Sequence, residues 1–231
     1  VIGLTIGCAL ACAALVVAER RGLARLRIIA KLVASAAFVA VGALAFASAH
    51  GSTDPGRVQL GHAIVTGLVL GAIGDACLLA AGKRWFLAGL VAFLLGHLAY
   101  VAGIAWIEPA ERWYADAGWL AALPAAAGIA ALARLWPRLG SLRIPVIAYV
   151  ATISVMVIAA VAAARGEALP DPGRCRLVAG ACAFFGSDLA VARDRFVRPG
   201  FANKLWGLPA YYAGQLLFAW SIAGDGVGAG L

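Results

Sequence analysis

The amino-acid sequence predicts an all-α, polytopic membrane protein, with about eight transmembrane helices in a single transmembrane helical domain over residues 1–231 and both termini on the non-cytoplasmic side. Three observations carry this expectation. Hydrophobic residues make up 64% of the chain and charged ones 13%, with a mean hydropathy of +0.93, whereas soluble domains carry about 25% charged residues. Apolar windows of about 20 residues, the length that crosses a hydrocarbon core, succeed one another with only short connections between them. The basic residues segregate between alternate connections, as topology signals do.

The spans fall at roughly 2–18, 28–48, 61–81, 86–106, 117–136, 144–164, 176–193 and 205–223, each near the length a bilayer demands. Span 1 resembles a signal peptide in hydropathy, but its basic cluster Arg20, Arg21, Arg25 and Arg27 follows the apolar run. Signal peptides place their charges before it, so this segment reads as a retained span. The sequence begins at Val1 without Met, so a few native residues are expected to precede it. Span 2 carries Lys31 near its start. Span 3 ends in GAIGDACLLA with Asp75, span 4 holds His97 and Tyr100, and span 6 holds Tyr149. Span 7 contains ACAFFGSDLAV with Ser187 and Asp188, and span 8 contains LPAYYAGQLL with Tyr211, Tyr212 and Gln215. The similar settings of Asp75 and Asp188, on spans of the same direction, suggest an internal duplication of four helices.

Every Lys and Arg except Arg57, Arg112, Arg165, Arg174 and Arg176 lies in or beside connections 1/2, 3/4, 5/6 and 7/8. The positive-inside rule makes that side cytoplasmic. A net charge of +8 spread in this way is no stripe for nucleic acid, so no nucleic-acid partner is expected. The composition and topology fit a bacterial inner membrane. Trp85, Trp106, Trp113, Trp119 and Trp136 fall near span ends, where indole rings anchor at the headgroups. The five cysteines form no metal or disulfide spacing and read as small hydrophobes.

A carboxylate near the bilayer centre costs roughly 2.5 to 3.5 kcal/mol even on a lenient scale. Asp75 and Asp188 therefore mark a polar interior with a task. Counted from the cytoplasmic ends, both lie about five or six residues deep, some 8 to 9 Å at 1.5 Å per residue. From the same side Lys31 enters about three residues, Tyr149 about five, Tyr211 and Tyr212 about six or seven, Gln215 about ten and His97 about eleven. One polar pocket open to the cytoplasmic leaflet follows, with Gly71, Gly74, Gly180 and Gly186 permitting close helix approach. Structural readings stand beside the functional ones: Lys31 also suits snorkelling to headgroups, His97 a hydrogen-bonded core, and the tyrosines and Gln215 interhelical glue.

The order of these motifs resembles the YhhN family of integral membrane lysoplasmalogenases. The matching pieces are Lys31, GAIGDACLL (71–79), FLAGLVAFLLGHLAY (86–100), PVIAYV with Met156 (145–156), GACAFFGSDLAVA (180–192) and LPAYYAGQLL (208–217). Two departures are visible: Leu32 follows Lys31 where the family usually has proline, and connection 7/8 is rich in arginine, with Arg193, Arg195 and Arg198. The resemblance implies a lysophospholipid substrate whose vinyl ether is hydrolysed in the lipid bilayer to a fatty aldehyde and a glycerophospho-ethanolamine or -choline; no cofactor or metal is assigned from the sequence. Such a bond is cleaved by protonating its outer alkene carbon and capturing the resulting cation with water. Two carboxylates meet the same demand in glycosidases.

On this reading Asp75 and Asp188 are the acid and base in unassigned order, and His97 is a further candidate for proton transfer. Tyr100, Tyr149, Ser187, Tyr211, Tyr212 and Gln215 are candidate substrate contacts, with Lys31 and Arg193 for the phosphate. Two alternatives stay open: a metal-dependent lipid hydrolase, although His50 and His62 lie on the outer side away from His97, and a lipid or ion transporter using the intramembrane Asp and Lys residues.

Overall fold

The computed structural model describes residues 1–49 and 54–224, so His50 lies outside the described residues. Its helices are α1 Ile2–Arg21, α2 Ala24–Ser48, α3 Pro55–Cys77, α4 Lys83–Ala105, a short α5 Trp113–Ala117, α6 Ala122–Leu135, α7 Arg143–Ala163, α8 Asp171–Phe196 and α9 Phe201–Ser221. The described residues contain no strand. Seven segments are long and apolar enough to cross a membrane, those of α1 to α4, α6 with its flanking turns, α7 and α8. The eighth expected span, α9, has the length but carries buried Asn203, Tyr211, Tyr212, Gln215 and Ser221, packed against α1, α2 and α8.

Local chemistry sets several helix ends away from the hydropathy limits. The Asp54 carboxylate caps α3 by accepting from the Gly56 N–H over 2.9 Å, with Pro55 in the first turn, so α3 begins before residue 61. The same helix stops at Cys77 although apolar sequence continues to Ala81, and Gly82, at a φ of 114° open to glycine, turns the chain into α4. Asp75 thus sits in the last turn of α3, while Asp188 lies two turns before the end of the longer α8. Their equal distance from helix ends does not hold. The fifth span is likewise not one helix: Gly118, at φ 58°, separates α5 from the turn leading into α6.

Six helices close a ring in the order α2, α3, α4, α7, α8, α9, with α9 returning to α2. Outside the ring, α1 packs on α2 and α9, and α6 packs on α7. Helices α8 and α9 approach closely. A Cβ on Gly214 would stand 3.1 Å from the Gly180 carbonyl oxygen, and one on Gly180 3.2 Å from that of Gly214, so both helices need glycine there. Gly71 and Gly74 are also crowded, by Gln215 and by the Phe93 ring, whereas Gly186 has open space beside it and brings no helix closer. Trp85, Trp106, Trp119 and Trp136 are exposed as expected. Trp113 is instead buried and donates its indole N–H to the Glu108 carbonyl over 2.8 Å.

Candidate active site

At the end of the ring where α1, α3 and α8 finish and α2, α4 and α9 start, a cavity of about 370 Å³ opens between the helices. Its walls are mainly apolar, including Leu90, Phe93, Val150, Ile153 and Phe185. The polar groups facing it are Lys31, Asp75, Tyr149, Ser187, Asp188 and Tyr211, with Glu19, Arg27, Asp194, Arg195, Asn203 and Lys204.

Asp75 is the more enclosed carboxylate, 1% exposed. Its Oδ1 is ion-paired with Lys31 Nζ. On its other oxygen, Ser35 donates to Oδ2 over 2.7 Å and Tyr212 over a longer 3.4 Å. Ser35 lies one turn beyond Lys31 on α2, so a single helix face supplies two of the three partners. A buried ion pair of this kind is tolerated only where further hydrogen bonds complete it, as they do here.

Asp188 is held differently. It is half-buried on α8, and its structural partner is the neutral Tyr149 hydroxyl, which donates to Oδ2 over 2.8 Å. Ser187 beside it also lines the cavity and donates to the Phe184 carbonyl one turn back, over 2.9 Å.

A second polar chain runs deeper from Tyr211, whose partners Gln215 and Tyr100 do not line the cavity. Tyr100 donates to Gln215 Oε1 over 2.7 Å, Gln215 Nε2 donates to the Tyr211 oxygen over 3.1 Å, and Tyr211 donates to the Gly71 carbonyl over 3.3 Å. Tyr100 also stacks on Phe218, ring centroids 4.2 Å apart. His97 is buried among rings, 4.5 Å from that of Phe184 and 5.2 Å from that of Tyr149. Neither of its nitrogens reaches a hydrogen-bond partner of normal geometry, the Phe93 carbonyl one turn earlier being a neighbour only at the margin.

These contacts sort the expected site residues. Asp75, Asp188, Lys31, Tyr149, Ser187 and Tyr211 come together around one cavity. His97, Tyr100, Tyr212 and Gln215 do not line it but contact Tyr149, Tyr211 and Asp75, which do. Arg193 is exposed on α8 and faces away. Sequence depth alone does not separate these groups, because rotation about a helix axis decides which of two equally deep side chains meets the cavity.

Residues at the site that the sequence did not mark as candidates are Ser35, Glu19, Arg27, Asp194, Arg195, Asn203 and Lys204. For two of them a signal was present. Arg27, Lys31 and Ser35 are spaced four residues apart, a single stripe along α2.

The pattern of the YhhN family matches residues 26–222, a stretch that includes Lys31 and both aspartates. The chain belongs to the YhhN family. A protein of Mycobacterium bovis (strain ATCC BAA-935 / AF2122/97) named Lysoplasmalogenase is 32% identical over 155 residues, covering 65% of this chain and 55% of that protein. A protein of the same name from Mycobacterium tuberculosis (strain CDC 1551 / Oshkosh) matches to the same extent. This YhhN chain thus spans just over half the length of the curated relatives it matches. No solved structure matches it significantly.

Proposed function

We propose that this YhhN protein is a membrane hydrolase that cleaves the vinyl ether of a lysoplasmalogen, with Asp188 and Asp75 as acid and base. One observation carries the reading: two carboxylates from different helices line the same, otherwise apolar cavity, in a chain whose named relatives are called Lysoplasmalogenase.

The unlike settings of the carboxylates support unlike roles. Asp75 is ion-paired with Lys31, and its Lys31, Ser35 and Tyr212 contacts leave one of roughly four lone-pair sites for a water. Asp188, paired with a neutral phenol, is the group suited to carry a proton to the outer alkene carbon. Protonation leaves an oxocarbenium-like cation next to the ether oxygen. Water adds to the cationic carbon bonded to the ether oxygen while Asp75 takes up one of the water's protons, giving a hemiacetal. Collapse of the hemiacetal breaks the carbon–oxygen bond to glycerol and releases a fatty aldehyde and the glycerophospho-alcohol, one water being consumed. The apolar walls suit the alkenyl chain and keep bulk water from competing with the carboxyl groups.

Orientation supports the same reading. The cavity opens at the end bearing Arg20, Arg21, Lys83, Arg84, Arg138, Arg195 and Lys204, which the positive-inside rule assigns to the cytoplasm, in an eight-span domain with outward termini. Beyond Tyr211 the ring is filled by Gln215, Tyr100 and Phe218, and a separate cavity lies past them, lined by Leu60 and Ser221. That packed layer favours an enzyme over a transporter with a polar path across the bilayer.

The test is product analysis with purified protein, using a lysoplasmalogen and its saturated ether analogue. Aldehyde release from the first alone is expected. Equal hydrolysis of both would remove vinyl ether protonation as the mechanism.

A further inference from the structure

The cavity mouth carries four cationic side chains, and three of them are already engaged. Lys31 is paired with Asp75, Lys204 donates to Glu19 Oε2 over 2.7 Å, and Arg195 lies over the Phe86 ring, 4.5 Å from its centroid. Arg27 differs. It lines the cavity, has no carboxylate partner among the described residues, and its Nε is buried without an acceptor. Across the mouth, Asn203 is 3% exposed and shows the complementary lack. Its Nδ2 donates to Asp194 Oδ1 over 3.0 Å and to the Arg198 carbonyl over 2.8 Å, which fixes the amide orientation, and its Oδ1 is a buried acceptor with no donor. Arg27 is the fourth residue of α2 and Asn203 the third of α9, two helices that start at the same end of the ring and pack together. A buried N–H of a guanidinium and a buried carbonyl are rarely both left unanswered in a folded protein, so the pair calls for a ligand presenting an anion and a donor.

We infer that Arg27 binds the phosphate of a single-chain phospholipid at the cavity mouth, with Asn203 Oδ1 accepting from an O–H or N–H of the same headgroup. Arginine suits this because its planar fork meets two phosphate oxygens at once. Spacing along α2 fits the same ligand. Arg27 precedes Lys31 by one turn, about 6 Å along the axis at 1.5 Å per residue, close to the reach of an extended glycerol from phosphate ester to ether oxygen. Phosphate on Arg27 therefore sets the ether bond at the level of the Lys31–Asp75 pair. A single-chain lipid also keeps a free glycerol hydroxyl to offer Asn203, which a two-chain lipid has lost. This inference rests on the lipid-hydrolase reading for its geometry but is tested by binding.

The experiment measures affinity of the purified protein in detergent for three probes: a saturated ether lysophospholipid, the matching monoalkylglycerol without phosphate, and inorganic phosphate. Arg27→Gln is expected to weaken the lysophospholipid by at least about tenfold and to leave the monoalkylglycerol unmoved. Arg27→Lys, which keeps the charge and guards against a folding defect, is expected to lose less. Unchanged lysophospholipid affinity in Arg27→Gln overturns the assignment. Arg27-dependent binding of inorganic phosphate with no effect on lysophospholipid also overturns it, in favour of a free anion site. Arg27-dependent lysophospholipid binding by a protein that releases no aldehyde from lysoplasmalogen supports the subsite while removing the proposed reaction.

Discussion

Tyr149 on α7 donates its hydroxyl to Asp188 Oδ2 on α8 over 2.8 Å, and the same ring stands 5.2 Å from His97. The phenol therefore restrains the rotamer of a carboxyl that lines the cavity. Asp75 is handled in the same manner by the helix that precedes its own, α2, through Lys31 and Ser35. Each half of the suggested duplication thus uses one helix to aim the aspartate of the next.

Tyr149→Phe keeps the ring against His97 and removes only the hydrogen bond. A bond to a charged or reacting group is worth about 1.5 to 3 kcal/mol, so aldehyde release is expected to slow by about tenfold to a hundredfold with little change in KM. Steady-state kinetics on lysoplasmalogen check this, and wild-type kcat in the variant would show that Asp188 is positioned without the phenol.

Asp75→Asn and Asp188→Asn retain shape and lose the ability to exchange protons. Positioned acids and bases contribute roughly 10² to 10⁴ in rate, and each variant is expected to lose at least that much while eluting from a sizing column as the wild type does. Substantial turnover by either folded variant would rule out the paired roles.

Much of the fold was legible because span length and apolarity are summed properties of many residues. Helix ends were less so: Asp54 with Pro55 moves the start of α3, and Gly82 closes the turn after it, effects that hydropathy averages away. For the site, Asp75 and Asp188 stand out through the cost of burying charge, and the structure brings both to one cavity. Equal depth did not reveal that His97 and Gln215 lie behind Tyr149 and Tyr211, since that depends on helix rotation. Arg27 was hidden among arginines that serve topology, and only its buried, unanswered Nε sets it apart.

Chelation separates the carboxylate mechanism from the metal alternative. Among the described residues no three His, Cys, Asp or Glu side chains group as ligands, and catalytic zinc sites commonly use three. Activity is expected to persist after dialysis against EDTA, measured as aldehyde release. Loss on chelation with recovery on adding one divalent metal would favour the alternative.

Two glycines on α8 give opposite expectations. At Gly180 a Cβ would lie 3.2 Å from both the Gly214 carbonyl oxygen and Leu217 Cβ, so Gly180→Ala must push α9 outward, at about 1 to 3 kcal/mol. At Gly186 nothing lies within 4 Å, so Gly186→Ala is expected to gain about 0.5 to 1 kcal/mol in helix propensity. Thermal unfolding in detergent, compared for the two variants, checks the sign of each.

The Lys31–Asp75 pair offers the sharpest test of how the interior is balanced. Removing the ammonium alone, in Lys31→Met, leaves the Asp75 charge buried with only Ser35 and Tyr212 as donors, a loss expected to cost about 3 to 5 kcal/mol. Removing both charges, in Lys31→Met with Asp75→Leu, relieves that penalty. Ser35 and Tyr212 both lose the Asp75 acceptor, but the Ser35 hydroxyl has the Lys31 carbonyl 3.0 Å away to donate to instead. The double variant is therefore expected to be more stable than Lys31→Met and still inactive, a non-additivity that a double-mutant cycle reads directly. Additive losses would mean that the ammonium and carboxylate act independently, and Lys31 would then have no part in keeping Asp75 charged.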